Sequence, residues 1–269
     1  MRLLKLALTV ALMAGASLYA TRGQAEITLS PLRQVLTSTA PVATYEVANP
    51  SRRTIEARVS WLDLKATETG YELAGPDDRT RRSAAPYLTV WPATFRLEPG
   101  AKTTVTVKVK NGVSIPKGER RSHLLIETEA VRTPLRKASG AMELDIDLGV
   151  STPVLLRGGP SAAAAHFGDT RLLRTADGLL ELETHLHGDA PTTAYGRIEI
   201  YMNEGGAGSR KMAALDNVAI YPEAARRRFV LPLQAVHLPA GIMEARFVGS
   251  AEFDGELFAT RTFDIAPAR

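Results

Sequence analysis

The chain has 269 residues, 45% of them hydrophobic and 23% charged, which suffices for at least one full core and is unlike disordered or collagen-like chains. Its formal charge of +4, from 33 Lys and Arg against 29 Asp and Glu, is too small and too evenly spread for a nucleic-acid footprint. Cysteine is absent, which excludes disulfides, thiol nucleophiles and cysteine-held zinc or iron-sulfur groups.

The first segment has the layout of an export signal. Met1-Arg2-Leu3-Leu4-Lys5 is a short basic head, and Leu6 to Ala20 is apolar apart from small and hydroxyl residues. That run is shorter than the about 20 residues a spanning helix needs. Gly23-Gln24-Ala25 offers small residues where a signal peptidase reads, so cleavage is expected between Ala25 and Glu26. Loss of Arg2, Lys5 and Arg22 takes the formal charge from +4 to +1.

From there the pattern is period two. Ala43, Tyr45 and Val47 alternate with polar neighbours before Asn49-Pro50-Ser51, and Ile55, Ala57, Val59 and Trp61 do so after it, which reads as an antiparallel pair. Tyr87 to Trp91 is a short strand stopped by Pro92. Phe95-Arg96-Leu97 leads through Glu98-Pro99-Gly100 to a strand from Thr103 to Lys110. Leu124, Ile126 and Thr128 continue the theme, and Arg132 to Gly140 is a basic loop. The sharpest alternation follows, with Met142, Leu144, Ile146 and Leu148 separated by Glu143, Asp145 and Asp147.

Gly158-Gly159-Pro160-Ser161 breaks the pattern and reads as an interdomain linker. Beyond it, Asp177-Gly178 and Asp254-Gly255 are two-residue hairpin signals, the first between Thr170 to Ala176 and Leu179 to His187, the second between Glu244 to Phe253 and Glu256 to Ile265. Three further strands are expected at Arg197 to Asn203, Lys211 to Tyr221 and Arg228 to Leu233. About seven short strands per half is the signature of an immunoglobulin-like sandwich. The expected fold is all-β, with a signal at 1–25, a first domain at 26–157, a linker at 158–160 and a second domain at 161–269.

Catalytic and metal signatures are weak. Of the five histidines only His185 and His187 are close; on a strand they share a face, and without a third ligand they read as a solvated surface. The glycines of Asn203 to Gly208 lack the helix start and Lys-Ser/Thr of a phosphate loop and read as a hairpin tip. No nucleophile elbow or paired-carboxylate motif stands out, so no enzyme activity, cofactor, metal or small-molecule substrate is expected.

Several segments, in order, resemble the periplasmic chaperones of the chaperone-usher pilus pathway (PapD-like). They are Thr28 to Leu36, Val47-Ala48-Asn49-Pro50-Ser51, Leu88 to Pro92 with Phe95 to Gly100, Gly118 to Leu125, and Gly149 to Arg157. The resemblance implies two immunoglobulin-like sandwiches set at an angle, boomerang-like, in a periplasmic protein that caps pilin-like subunits and delivers them to an outer-membrane usher. Such chaperones lend a strand to a subunit that lacks its last one. Met142, Leu144, Ile146 and Leu148 occupy the donor positions; alternation by itself fits equally a strand facing its own core. Arg33 matches the arginine that clamps the subunit's C-terminal carboxylate, a task suited to a guanidinium's planar fork. Arg157 falls at the interdomain hinge arginine.

Two positions depart from the family. Pro153 stands at the second, lysine anchor. Arg121 stands where an acidic hinge partner is expected, with Glu119 nearby as a substitute. The absent cysteine and the short loop between Ala130 and Ala141 resemble the branch without a long loop or disulfide. Expected partners are pilin subunits, the usher and, through the exposed strand edge, a second copy of the chain. The alternative from another class is an exported immunoglobulin-like structural or adhesive protein of a surface fibre.

Overall fold

Apolar residues at every second position leave each sheet one face that must be buried, and two such faces meet to form a sandwich core. The computed structural model describes residues 27–130, 148–160, 162–203, 208–224 and 226–265. The signal segment, Met142, Leu144, Ile146 and the glycines at 205 and 206 lie outside the described residues.

The first half contains β1 (Thr28–Ser30), β2 (Gln34–Leu36), β3 (Val42–Ala48), β4 (Ile55–Leu62), β5 (Leu64–Ala66), β6 (Tyr71–Leu73), α1 (Pro76–Arg82), β7 (Leu88–Trp91), β8 (Thr94–Leu97), β9 (Lys102–Val109), β10 (Gly118–Ala130) and β11 (Leu148–Gly158). One sheet runs β1-β3-β9-β7 and the facing one β2-β11-β10-β4-β8, so the first strand passes from one sheet to the other between Ser30 and Gln34. Leu36, Tyr45, Val47, Ile55, Val105, Val107, Leu124, Ile126, Val154 and Leu156 fill the space between.

The second half contains β12 (Ala165–Arg174), β13 (Leu180–Gly188), β14 (Ala194–Asn203), β15 (Ser209–Ile220), β16 (Arg226–Pro232), β17 (Gly241–Gly249) and β18 (Leu257–Ile265). Sheets β12-β13-β16 and β15-β14-β17-β18 close on a separate core that includes Leu182, Leu186, Ile198, Ile200, Met202 and Phe247. The architecture is all-β, two immunoglobulin-like sandwiches in one chain.

The structure corrects the reading of β3 and β4 as a pair. β3 pairs with β1 and β9, and β4 with β10 and β8. Their buried faces meet across the core instead, and alternation is the same for a strand beside its neighbour or opposite it. Asn49 makes this crossing. Its buried Nδ2 donates to the carbonyls of Arg53 at 2.7 Å, Leu97 at 3.1 Å and Glu98 at 3.2 Å, while Oδ1 accepts from the Ser51 amide at 3.0 Å. The Pro99-Gly100 turn lies against it, with Gly100 at φ 73°, as the third residue of a type II turn requires.

Residues 64–82 depart from the sandwich pattern. β5 and β6 form a two-stranded hairpin, and α1 follows with Pro76 at its start, Asp77 and Asp78 in its first turn and Arg79, Arg81 and Arg82 in its last. Those charges oppose the helix dipole at both ends.

Candidate functional site

β11 is covered on one side by β10 over its whole length, from Leu148 opposite Thr128 to Gly158 opposite Gly118. On its other side β2 runs parallel to it and pairs only at Val154, Leu155 and Leu156. Residues 148–153 therefore have no strand on that edge among the described residues. The cover ends at Arg33, one residue before Gln34, whose partner is Val154. The bend just before it is fixed by Thr152, whose hydroxyl donates to the Leu32 carbonyl at 2.6 Å.

The Arg33 side chain is 6% exposed and reaches the second sandwich. Its guanidinium lies over the Tyr195 ring, 4.4 Å from the centroid, and donates from both terminal nitrogens to the Glu252 carboxylate at 2.7 and 2.8 Å. Glu252 also accepts from Arg157 Nη1 at 3.2 Å. Arg157 in turn donates to Glu119 Oε2 from Nη2 at 2.7 Å and from Nε at 3.1 Å. Glu119 accepts from the Thr193 amide at 3.3 Å and from its hydroxyl. One chain of charge-assisted bonds thus crosses between the sandwiches twice, at Glu252 and at Thr193. Burial works against the Glu252 charge, but the hydrogen bonds and charge of Arg33, with Arg157 behind it, hold its carboxyl below the usual range.

Glu252 arrives there on a short 3-10 turn, Ala251–Phe253, between β17 and β18. This corrects the reading of Asp254-Gly255 as a two-residue hairpin with strand up to Phe253. β17 stops at Gly249 because the turn packs against it: a Cβ at that glycine would lie 2.0 Å from the Phe253 carbonyl oxygen. Ala251 is held at φ 58°, left-handed backbone that costs a non-glycine residue on the order of 1–2 kcal/mol.

Further contacts join the halves around Glu223 and Glu68. Arg121 Nη2 meets Glu223 Oε1 at 2.5 Å, both side chains 7% exposed, with the Arg121 guanidinium 3.7 Å over the Tyr221 ring. Glu223 also accepts from the Ala66 amide of β5 at 3.2 Å. Glu68, in the β5–β6 turn, accepts from Arg226 at 2.7 Å and lies 3.1 Å from His185 Nε2. His185 is thus a buried interface residue rather than part of a solvated face, lying between Glu68 of the β5–β6 turn and the Asp169 carbonyl of β12. His187 stacks on His166 at 4.9 Å, and no group of three or more potential metal-binding side chains occurs among the described residues.

Arg33 and Arg157 meet through Glu252, and Leu148 opens β11. Glu252, Tyr195, Thr193, Glu223 and Tyr221 escaped the sequence reading. All come from the second half, where the resemblance supplied no motif; the Gly249-Ser250 break was the one local sign that the strand ends early.

No family model and no curated protein matches this chain. Among solved structures it is similar to the Salmonella enterica SafA pilin in complex with the SafB chaperone, at 16% identity and a TM-score of 0.43 over 89% of this chain and 96% of that one. It is also similar to the E. coli chaperone DraB, at 13% identity and a TM-score of 0.43 over 89% and 97%. A third is the CsuC-CsuE chaperone-tip adhesion subunit pre-assembly complex of Acinetobacter baumannii, at 9% identity and a TM-score of 0.44 over 91% and 100%.

Proposed function

We propose that this chain is a non-catalytic periplasmic chaperone of the PapD-like, chaperone-usher type, which caps pilin-like subunits by lending them a strand and delivers them to an outer-membrane usher. In this reading residues 1–25 are the export signal, 26–157 and 161–269 are the two domains, and Arg157 belongs to the hinge between them. The observation that carries the reading is the half-covered β11 with Arg33 at the end of its cover. An incoming strand that pairs along 148–153 and ends with its carboxylate on Arg33 runs parallel to β11, in line with β2. Backbone pairing supplies affinity there and alternate side chains supply specificity. Met142, Leu144, Ile146 and Leu148 are the donor side chains; burying each is worth ~1.5–3 kcal/mol, before the cost of association. Arg33 then fixes the register, since a slip by two residues keeps the faces and loses the ion pair.

The test is co-production in the periplasm with a pilin-type subunit that lacks its last strand. Ile146→Asp is expected to leave the chaperone folded and to abolish accumulation of the subunit. Subunit recovery equal to that with the native chain overturns the donor-strand reading.

A further inference from the structure

The Arg33 guanidinium that would receive a subunit carboxylate already holds one, that of Glu252. We propose that Glu252 is a placeholder for the subunit's C-terminus: it competes for Arg33, and capture proceeds by exchange of one carboxylate for the other. The proposal rests on the chaperone reading for the identity of the incoming group.

Charge accounting favours exchange over addition. Among the described residues, the linked cluster holds two guanidinium groups, Arg33 and Arg157, and two carboxylates, Glu252 and Glu119. A third carboxylate would leave a net negative charge in a site whose arginine side chains are 6% and 3% exposed, and desolvated unbalanced charge is expensive. Pro153 stands where the family resemblance places a second, lysine anchor. Exchange keeps the balance: the incoming carboxylate pairs with Arg33, Arg157 keeps Glu119, and Glu252 moves toward water. Glu252 is placed for that departure, being 26% exposed on a surface turn. Arg33 also has something to gain, since its buried Nε has no acceptor among the described residues. The placeholder screens a buried guanidinium while no subunit is present and sets how strongly a free carboxylate must compete to enter.

The experiment uses the full chain and sodium acetate as the probe, with chloride at equal ionic strength as the control. The readout is the Arg33 Nε–Hε resonance of the native chain and of Glu252→Gln, which keeps the shape and removes the charge. Arg33 is expected to respond at about ten-fold lower acetate in the variant. The Glu119 and Thr193 amide signals should stay in place because the Arg157–Glu119–Thr193 bonds remain. Equal acetate dependence in both proteins, or a weaker response in Glu252→Gln, overturns the proposal. Glu252→Ala should behave as Glu252→Gln does, which separates loss of charge from a new amide contact. Acetate carries no strand, so loss of subunit capture with this result intact counts against the chaperone reading alone.

Discussion

His123 shows how a single buried group sets a pH dependence. It is 4% exposed on β10, edge-on to the Tyr71 ring at 5.6 Å, and hydrogen-bonded to the Leu62 backbone. Burial, with the Arg121 charge second, lowers its pKa to about 4, outweighing the opposite pull of Asp63 and Glu223. An unfolded chain takes up this proton near pH 6.5, whereas the folded one resists until about 4. Between those values the unfolded state binds more protons, so stability falls as the pH drops from 6.5 to about 4 and this contribution is flat below. The loss amounts to about 3 kcal/mol at most. His123→Phe keeps the ring and removes the proton site. Thermal midpoints measured from pH 7 to pH 4 should decline less steeply in that variant than in the native chain; parallel curves would assign the acid sensitivity elsewhere.

At the scale of elements, the connection between β3 and β4 depends on Asn49, which is fully buried and bonded to both the 50–53 turn and the end of β8. Asn49→Ala takes the Nδ2 donor from the Arg53, Leu97 and Glu98 carbonyls and the acceptor from the Ser51 amide, and should cost about 2–3 kcal/mol, read as a lowered denaturation midpoint at unchanged m-value. What was legible at this scale follows from what period two encodes. It marked the buried face of β3 as Ala43, Tyr45 and Val47 and that of β4 as Ile55, Ala57, Val59 and Trp61; all are buried except Trp61, which is half-buried. It could not say which sheet either strand joins, since a neighbour and an opposite strand bury the same positions. Asp177-Gly178 marked the place of the β12–β13 hairpin because its turn chemistry is local, but the connection is Ala176, Asp177 and Gly178, closed by Gly178 at φ 81°, rather than the two-residue turn expected. Residues 64–82 were not legible as a unit because strands of three residues are too short to show a period. α1 did carry its charges in the order a helix prefers, but over only seven residues. In the candidate site, the arginines sit in segments with family-like motifs, whereas their acidic and aromatic partners depend on the docking of two halves far apart in sequence.

For the whole molecule, the consequence of that docking is that two sandwiches with separate cores share buried charge. Arg121 of the first and Glu223 of the second are each 7% exposed and 2.5 Å apart, and the Tyr221 ring that flanks them is buried enough that its phenol is pushed far above its usual pKa. Such a pair contributes little net stability when formed, because both ions give up water, but losing one partner leaves the other uncompensated. Glu223→Leu or Arg121→Leu alone should therefore cost about 3–5 kcal/mol, while the double replacement costs less than either single one. Calorimetry adds a second readout. If this pair couples the halves, the single variants should separate the melting of the two sandwiches into distinct transitions, each core retaining its own apolar packing. A single variant that melts at the native midpoint in one transition would mean that the Arg33–Glu252–Arg157–Glu119 chain and the Glu68 contacts hold the halves together without Arg121. The double variant then separates the two cases, since its recovery relative to the singles measures the Arg121–Glu223 interaction itself.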